Sequence, residues 1–173
     1  MTFSSEMYEG VCKTAHALTH GFVLNHSMLR VKDPAVSLDF YSRIMGMRVL
    51  RKLDFPEMKF SLYFLAVAEL ASSAPDQVGD RTAWTFSQSG ILELTHNWGT
   101  ESDPDFKYHD GNAQPQGFGH ICFSVPDLDA AVKWFDDNQV TYVKRPEQGK
   151  MKDASFTLEE AVTFWYKQLA STG

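Results

Sequence analysis

The chain has 173 residues, of which 43% are hydrophobic, and a formal net charge of -6 at pH 7. This length and composition predict a soluble globular protein with one full core, or two small modules that share a core. The negative charge, without any block of Lys or Arg, argues against binding to nucleic acid or to an anionic membrane surface.

The N-terminal region does not resemble a secretory signal. Residues 1–21 lack the charged and then apolar layout of a secretory signal, and we expect them to form an N-terminal arm. No apolar run approaches the length of about 18 residues that a membrane span needs. Cys12 and Cys122 lie outside any CxxC context and are predicted to be reduced packing thiols. The cytoplasm is therefore the expected compartment.

The first half of the chain alternates between strand and helix signals. Residues 25–31 are predicted to form a strand, Asp33 to cap a helix that extends to about Met45, and residues 47–53 to form a second strand. An aromatic-rich strand follows at 59–67. Residues 68–82 are small and polar, with Pro75 and Gly79, and are predicted to be a surface loop.

The stretch Gly-Ile-Leu-Glu-Leu-Thr-His-Asn-Trp-Gly at 90–99 is typical of a buried strand. Its alternation places Ile91, Glu93, Thr95 and Asn97 on one face, and it places Leu92, Leu94 and His96 on the other. Glu93 lies between apolar neighbours, where an uncompensated carboxylate is too costly to bury. Either a metal ion or an Arg partner would neutralise it.

The second half of the chain repeats the first. One constant shift in numbering places His26 on His120, Asp33 on Asp127 and Tyr41 on Phe135. We therefore predict an α+β fold of two paired βαβββ modules. The first module spans residues 22–99, a linker spans 100–116, and the second module spans 117–173.

Two histidines at equivalent repeat positions, together with a carboxylate, suggest a metal site where the modules meet. Imidazole and carboxylate ligands suit zinc, nickel, cobalt or iron(II). The alternative is that His26 and His120 are core histidines and that Glu93 pairs with Arg30. The remaining histidines are predicted to lie on the surface or to support the ligands: His16, His20, His96 and His109.

Several segments strongly resemble the glyoxalase I (lactoylglutathione lyase) family. They are MLRVKDP at 28–34, SLDFY at 37–41, DFP at 54–56, MKFSLYFLA at 58–66, LELTHNWGT at 92–100, GFGH at 117–120 and GKMK at 149–152. The resemblance covers about residues 22–152. It implies the vicinal oxygen chelate fold, built from paired βαβββ modules, and a homodimer whose metal sites form between subunits. The insertion at 68–82 is similar to that of the longer, zinc-using branch.

The resemblance also implies roles for individual residues. His26, Glu93 and His120 match the positions of metal ligands, with zinc expected first and nickel or cobalt as alternatives. Glutathione-binding positions are matched by Arg30, Asn97, Lys150 and Met151. The family has an Arg before the GFGH motif, whereas this chain has Gln116, which removes a charged anchor for the substrate carboxylate.

The C-terminal segment departs from the family. The family has a Trp-x-Glu motif whose Glu is the fourth ligand and the catalytic base. The three registers that we considered give Tyr166, Lys167 or Gln168 at that position instead. Residues 157–169 also permit a helix with a capping box at its start. Glu159 and Glu160 are weak candidates for a replacement base, and Glu93 is the catalytic carboxylate that remains.

The reaction implied is the conversion of the glutathione–methylglyoxal hemithioacetal to S-lactoylglutathione, with metal polarisation and proton transfer by a carboxylate. We expect turnover to be impaired by the missing C-terminal Glu. One alternative is a catalytically weak member of the same fold that binds glutathione conjugates or metal. Another is a different vicinal oxygen chelate enzyme, such as a dioxygenase or a glutathione transferase for antibiotics.

Phe118 and Trp98 are candidates for the contact between the two subunits of the expected homodimer.

Overall fold

The computed structural model describes residues 8–142 and the backbone of residues 161–165. Its strands and helices follow one another in the order β1 His26–Val31, α1 Pro34–Asp39, β2 Met47–Phe55, β3 Phe60–Val67, α2 Ala68–Ala71, α3 Val78–Thr85, β4 Ile91–Asn97, β5 His120–Ser124, α4 Leu128–Asp137 and β6 Ala161–Trp165. A π-helical stretch at Phe40–Ile44 continues α1. No described helix has the length and apolarity needed to span a bilayer.

The first module forms a four-stranded sheet in the order β1-β4-β3-β2. Strand β1 runs parallel to β4, and the other pairs are antiparallel. Met28 on β1 and Phe64 on β3 both lie opposite Glu93, so the three residues form one row across the sheet. The predicted βαβββ order of the first module is confirmed.

The two faces of this sheet bury separate apolar clusters. The cluster on the α1 side consists of Leu29, Val31, Tyr41, Met47, Leu65, Leu92 and Leu94. The cluster on the opposite side consists of Leu50, Phe64, Ala66 and Ile91. Because Ile91 belongs to one cluster while Leu92 and Leu94 belong to the other, the predicted alternation along β4 is confirmed.

The segment 68–82 is not the surface loop that its composition suggested. It contains α2 and most of α3, because Leu70, Ala74 and Trp84 pack against the cluster around Phe64. Burial of these apolar side chains outweighs the turn tendency of the Pro and Gly between them. The insertion therefore covers part of the sheet face that carries Glu93.

The two modules begin their helices in the same way. The Asp33 side chain accepts a hydrogen bond from the amide of Ala35, and Asp127 accepts one from the amide of Ala130. These caps confirm that the repeat extends to the start of the second helix. The strand predicted at 142–146 lies outside the described residues apart from Tyr142, which is not in a strand.

Part of the C-terminal segment is extended. Strand β6 pairs antiparallel with β5, with His120 opposite Trp165. The helical alternative is therefore wrong for residues 161–165.

Cys12 and Cys122 form no disulfide within the described residues. Both are exposed, so the prediction that they are packing thiols is wrong.

The modules contact each other through the α1 side of the sheet. The indole Nε1 atom of Trp134 on α4 donates a hydrogen bond to the backbone oxygen of Ile44, 2.9 Å away. Ile121 and Phe123 of β5 pack against the apolar cluster on that side. The sheet face that carries Glu93 therefore points away from this contact between the modules.

Candidate active site

His26 and Glu93 meet on the sheet face opposite α1. The Nε2 atom of His26 lies 3.1 Å from the Oε2 atom of Glu93. Parallel pairing of β1 with β4 places His26 one row from Glu93 on the same face, so the two side chains converge. Glu93 is only 9% exposed, whereas His26 is half-buried and remains accessible from solvent.

The carboxylate of Glu93 is supported from its other side. The hydroxyl of Thr95 donates a hydrogen bond to Oε1 at 2.9 Å. Phe64, which is 1% exposed, lies opposite Glu93 on β3 and lowers the local polarity. Within the described part of the chain, the partners of this carboxylate are His26 and Thr95. The alternative pairing of Glu93 with Arg30 is absent there.

The ring of His26 is held on three sides. Its Nδ1 atom lies 2.6 Å from the side-chain oxygen of Asn25. The rings of Phe64 and Phe86 meet it edge-on, with centroids 5.7 and 6.2 Å away. Its Nε2 atom is thus the one presented toward Glu93.

This pair of donors fits a divalent cation. One imidazole nitrogen and one carboxylate oxygen converge, and the second polar atom of each side chain already has a hydrogen bond. Such outer hydrogen bonds are the usual supports of metal ligands in proteins. The donor set is nitrogen and oxygen, which zinc, nickel and cobalt accept.

His120 is not brought to this pair within one chain. It lies on the exposed side of β5, whereas Ile121 and Phe123 face the core. Among the described residues, no group of three or more His, Cys, Asp or Glu side chains could hold a metal. Glu159 and Glu160 lie outside the described residues.

Two of the candidate substrate-binding residues, Arg30 and Asn97, lie along the same sheet face. Arg30 is opposite Thr95, one row beyond Glu93, and is exposed. Asn97 follows at the end of β4, where its amide donates a hydrogen bond to the Tyr108 hydroxyl at 3.0 Å. Exposed Gln116 precedes β5. Lys150 and Met151 lie outside the described residues.

The loop that leads to the GFGH motif is held by hydrogen bonds between its own residues. The amide of Gly117 donates to the backbone oxygen of Gly111 at 2.8 Å, and the Asn112 side chain donates to the oxygen of Gly119 at 3.0 Å. A Cβ atom at Gly111 would lie 1.8 Å from the backbone oxygen of Phe118. Only glycine permits this close approach, which fixes the backbone just before His120.

Several residues that shape the site are not among the candidates that the sequence indicates. Thr95 was placed on the correct face but given no role, although its spacing of two from Glu93 was a usable signal. Asn25, Phe86 and Tyr108 had no such signal, because their contacts come from distant segments.

Known proteins resemble this chain over most of its length. Residues 23–169 match the family model described as Glyoxalase/Bleomycin resistance protein/Dioxygenase superfamily. A lactoylglutathione lyase of Pseudomonas aeruginosa is 54% identical over 156 residues, which cover 90% of this chain and 87% of that protein. A lactoylglutathione lyase of Pseudomonas putida is 48% identical over 163 residues, or 94% and 93% of the two chains. Glyoxalase I of Saccharomyces cerevisiae is 45% identical over 79% of this chain but only 41% of the yeast protein.

Proposed function

The chain belongs to the Glyoxalase/Bleomycin resistance protein/Dioxygenase superfamily, and on this premise we propose that it is a lactoylglutathione lyase. Its substrate is the hemithioacetal of methylglyoxal and glutathione, and its product is S-lactoylglutathione. The observation that carries the proposal is the convergence of His26 and Glu93 on an accessible sheet face, in a chain 54% identical to a lactoylglutathione lyase. Membership of the superfamily also confirms the predicted fold class.

His26 and Glu93 would hold a divalent metal through Nε2 and Oε2, and His120 would provide a third ligand. Zinc is the first expectation, with nickel and cobalt as alternatives. When bound, the cation supplies a Lewis acid that polarises the substrate oxygens. The buried setting of Glu93 supports this assignment, since a carboxylate there needs a counter-charge.

The site is completed by a second copy of the chain. His120 lies on the exposed side of β5, and the other side of β5 packs against the α1-side core of its own chain. This arrangement supports a homodimer in which His120 of one chain reaches His26 and Glu93 of the other. Trp98 and Phe118 are exposed and available for the contact.

The chemical step is a proton transfer between adjacent carbons. The proton leaves C1 of the hemithioacetal and is delivered to C2, while the sulfur stays attached to C1 and becomes that of the thioester. Glu93 is the carboxylate that β4 presents on this face and is our candidate for accepting the proton. Because the family's C-terminal Glu has no counterpart at Tyr166, Lys167 or Gln168, we expect slow turnover.

Glutathione would be held by the polar residues further along the sheet. Arg30 offers a charged donor for a peptide carboxylate, and Asn97 offers an amide that Tyr108 orients. Lys150 and Met151 are proposed to complete the site. Gln116 provides only a neutral contact where a charged one is usual.

A second candidate function is favoured by the same C-terminal departure. A chain without the Trp-x-Glu carboxylate retains the means to bind metal and glutathione conjugates but lacks one group for turnover. On this hypothesis, the protein is a weak enzyme, or a binding protein, with the glyoxalase fold.

The two functions are separated by one assay. The protein is loaded with zinc, nickel or cobalt and given methylglyoxal and glutathione, and the thioester product is followed by its absorbance. Thioester formation that disappears in Glu93→Gln supports the lyase. Metal binding without any thioester supports the binding protein, and a chain that neither binds metal nor forms thioester contradicts both.

A further inference from the structure

Asn25, immediately before β1, joins the end of α3 to the candidate metal ligand His26. Its side-chain nitrogen donates hydrogen bonds to the backbone oxygens of Thr85 at 2.8 Å and Gln88 at 2.7 Å. Its side-chain oxygen lies 2.6 Å from the Nδ1 atom of His26. The partners at the end of α3 are 60 and 63 residues away along the chain.

These contacts determine which way the Asn25 amide points. The oxygens of Thr85 and Gln88 accept hydrogen bonds and cannot donate them, so the Asn25 atom that faces them must be the NH₂ group. The Asn25 atom that faces His26 is consequently the carbonyl oxygen, which only accepts. The Nδ1 atom of His26 must then carry a hydrogen and donate it to this oxygen.

The tautomer that follows has a direct consequence for Nε2. A neutral imidazole with hydrogen on Nδ1 carries a lone pair on Nε2. That lone pair faces the Oε2 atom of Glu93, itself an acceptor, at 3.1 Å. In the neutral ring, two acceptors at this distance repel one another unless a proton or a metal cation lies between them.

We propose that Asn25 is a positioning residue that locks neutral His26 in the Nδ1-protonated tautomer and so prepares Nε2 and Glu93 for a cation. The end of α3 fixes the orientation of the Asn25 amide, because backbone oxygens there accept its hydrogen bonds. The end of α3 thus orients a metal ligand through one amide, without touching the metal itself. The effect of Asn25 on metal affinity rests on the proposed metal site, but the tautomer assignment does not.

The first test uses the unaltered protein without metal. Nitrogen-15 NMR of the histidine side chains, at a pH where the ring is neutral, distinguishes a protonated Nδ1 from a protonated Nε2. We expect His26 to be protonated at Nδ1. A spectrum that shows Nε2 protonated overturns the proposal, whatever the protein does with metal.

The second test compares two variants that each replace an amide side chain with Ala. Asn25→Ala removes both functions of the amide, whereas Gln88→Ala removes a polar side chain from the same helix end but keeps the backbone oxygen that Asn25 binds. We expect Asn25→Ala to lose the fixed tautomer and to bind zinc about 10–100-fold more weakly in competition with a chelating dye. Gln88→Ala should retain both properties.

The outcomes separate the failure of this proposal from that of the proposed function. If the unaltered protein binds no zinc but His26 is protonated at Nδ1, the metal site is wrong and the tautomer lock stands. If zinc binds equally to the unaltered protein and to folded Asn25→Ala, checked by circular dichroism, the positioning role of Asn25 is wrong. If Gln88→Ala weakens zinc as much as Asn25→Ala, the effect belongs to the helix end and the proposal is again wrong.

Discussion

The Nε2 atom of His96 lies 2.7 Å from the Oε2 atom of Glu101, and this pair ties the end of β4 to the turn that follows it. The same oxygen accepts a hydrogen bond from the amide of Gly99 at 2.8 Å. The side chain of His96 is only 7% exposed, and it lies on the face opposite Glu93. The prediction that His96 lies on the surface or supports the metal ligands is therefore wrong, and the residue anchors the turn after Asn97.

We expect Glu101→Gln to destabilise the protein at neutral pH but not in acid. The backbone amide of Glu101 itself and then His96 hold the pKa of the carboxyl below its usual 4.5. A lowered pKa in the folded state adds stability above the usual pKa, and this stability is lost as the pH falls through the lowered value. Urea unfolding at pH 7 and at about pH 3 measures the difference. Glu57→Gln, at an exposed carboxylate, serves as the control.

Thr95→Val should weaken metal binding while the fold is preserved. The change removes the hydroxyl that donates to Glu93 Oε1 but keeps the shape of the side chain. Loss of a hydrogen bond to a ligand typically lowers metal affinity about 10–100-fold. Calorimetric titration with zinc gives the affinity. Thr100→Val, whose hydroxyl donates to the backbone oxygens of Lys32 and Asn97, is the matched control. An unchanged affinity in Thr95→Val would contradict the role of Glu93 as a ligand.

Mixing two inactive variants tests whether the metal site is shared between chains. His120→Ala and Glu93→Gln should each lose metal, as measured by elemental analysis. In a mixed dimer, one site would combine intact His26 and Glu93 from one chain with intact His120 from the other, so metal and activity should partly return. A site built within one chain predicts no recovery on mixing. Refolding the two variants separately and then combining them without exchange is the control.

Restoring the family's C-terminal carboxylate should raise turnover. We expect that replacing the residues after Phe156 with the family turn and Trp-x-Glu strand increases the rate by roughly 10²–10⁴, the usual contribution of a general base. The same graft with Gln in place of that Glu separates the carboxylate from any gain in folding. Equal rates for the graft and the natural chain would show that a base is already present. Substitution of Glu159 and Glu160 would then locate it.

The sequence predicted those features that depend on local pattern. Period-two alternation placed Glu93 on a buried face opposite Leu92 and Leu94, and the structure agrees. The repeat placed His26 and His120 at the starts of equivalent strands, which is where they lie. Both predictions agree with the structure because strand geometry and helix capping are determined by residues that are neighbours in the sequence.

The features that were missed depend on contacts between distant segments. Helices α2 and α3 are stabilised by packing of Trp84 and Leu70 against the sheet, which their small and polar neighbours do not reveal. Asn25 acts through the backbone oxygens of Thr85 and Gln88, and every residue type would offer a backbone oxygen at those positions. No pattern in a single sequence marks such a pairing.

The position of β1 in the sheet has a consequence for the order of folding. Strands β2 and β3 are joined by the short turn at Pro56–Met58 and can pair early, whereas β1 reaches β4 only after the intervening chain has been brought together. Closing this long loop costs more conformational entropy than closing the short turn between β2 and β3. We therefore expect β1 to pair with β4 late. Because His26 is on β1 and Glu93 is on β4, we expect the two candidate ligands to meet only after this late closure. For the proposed metal site, we therefore expect metal binding during refolding to mark completion of the sheet.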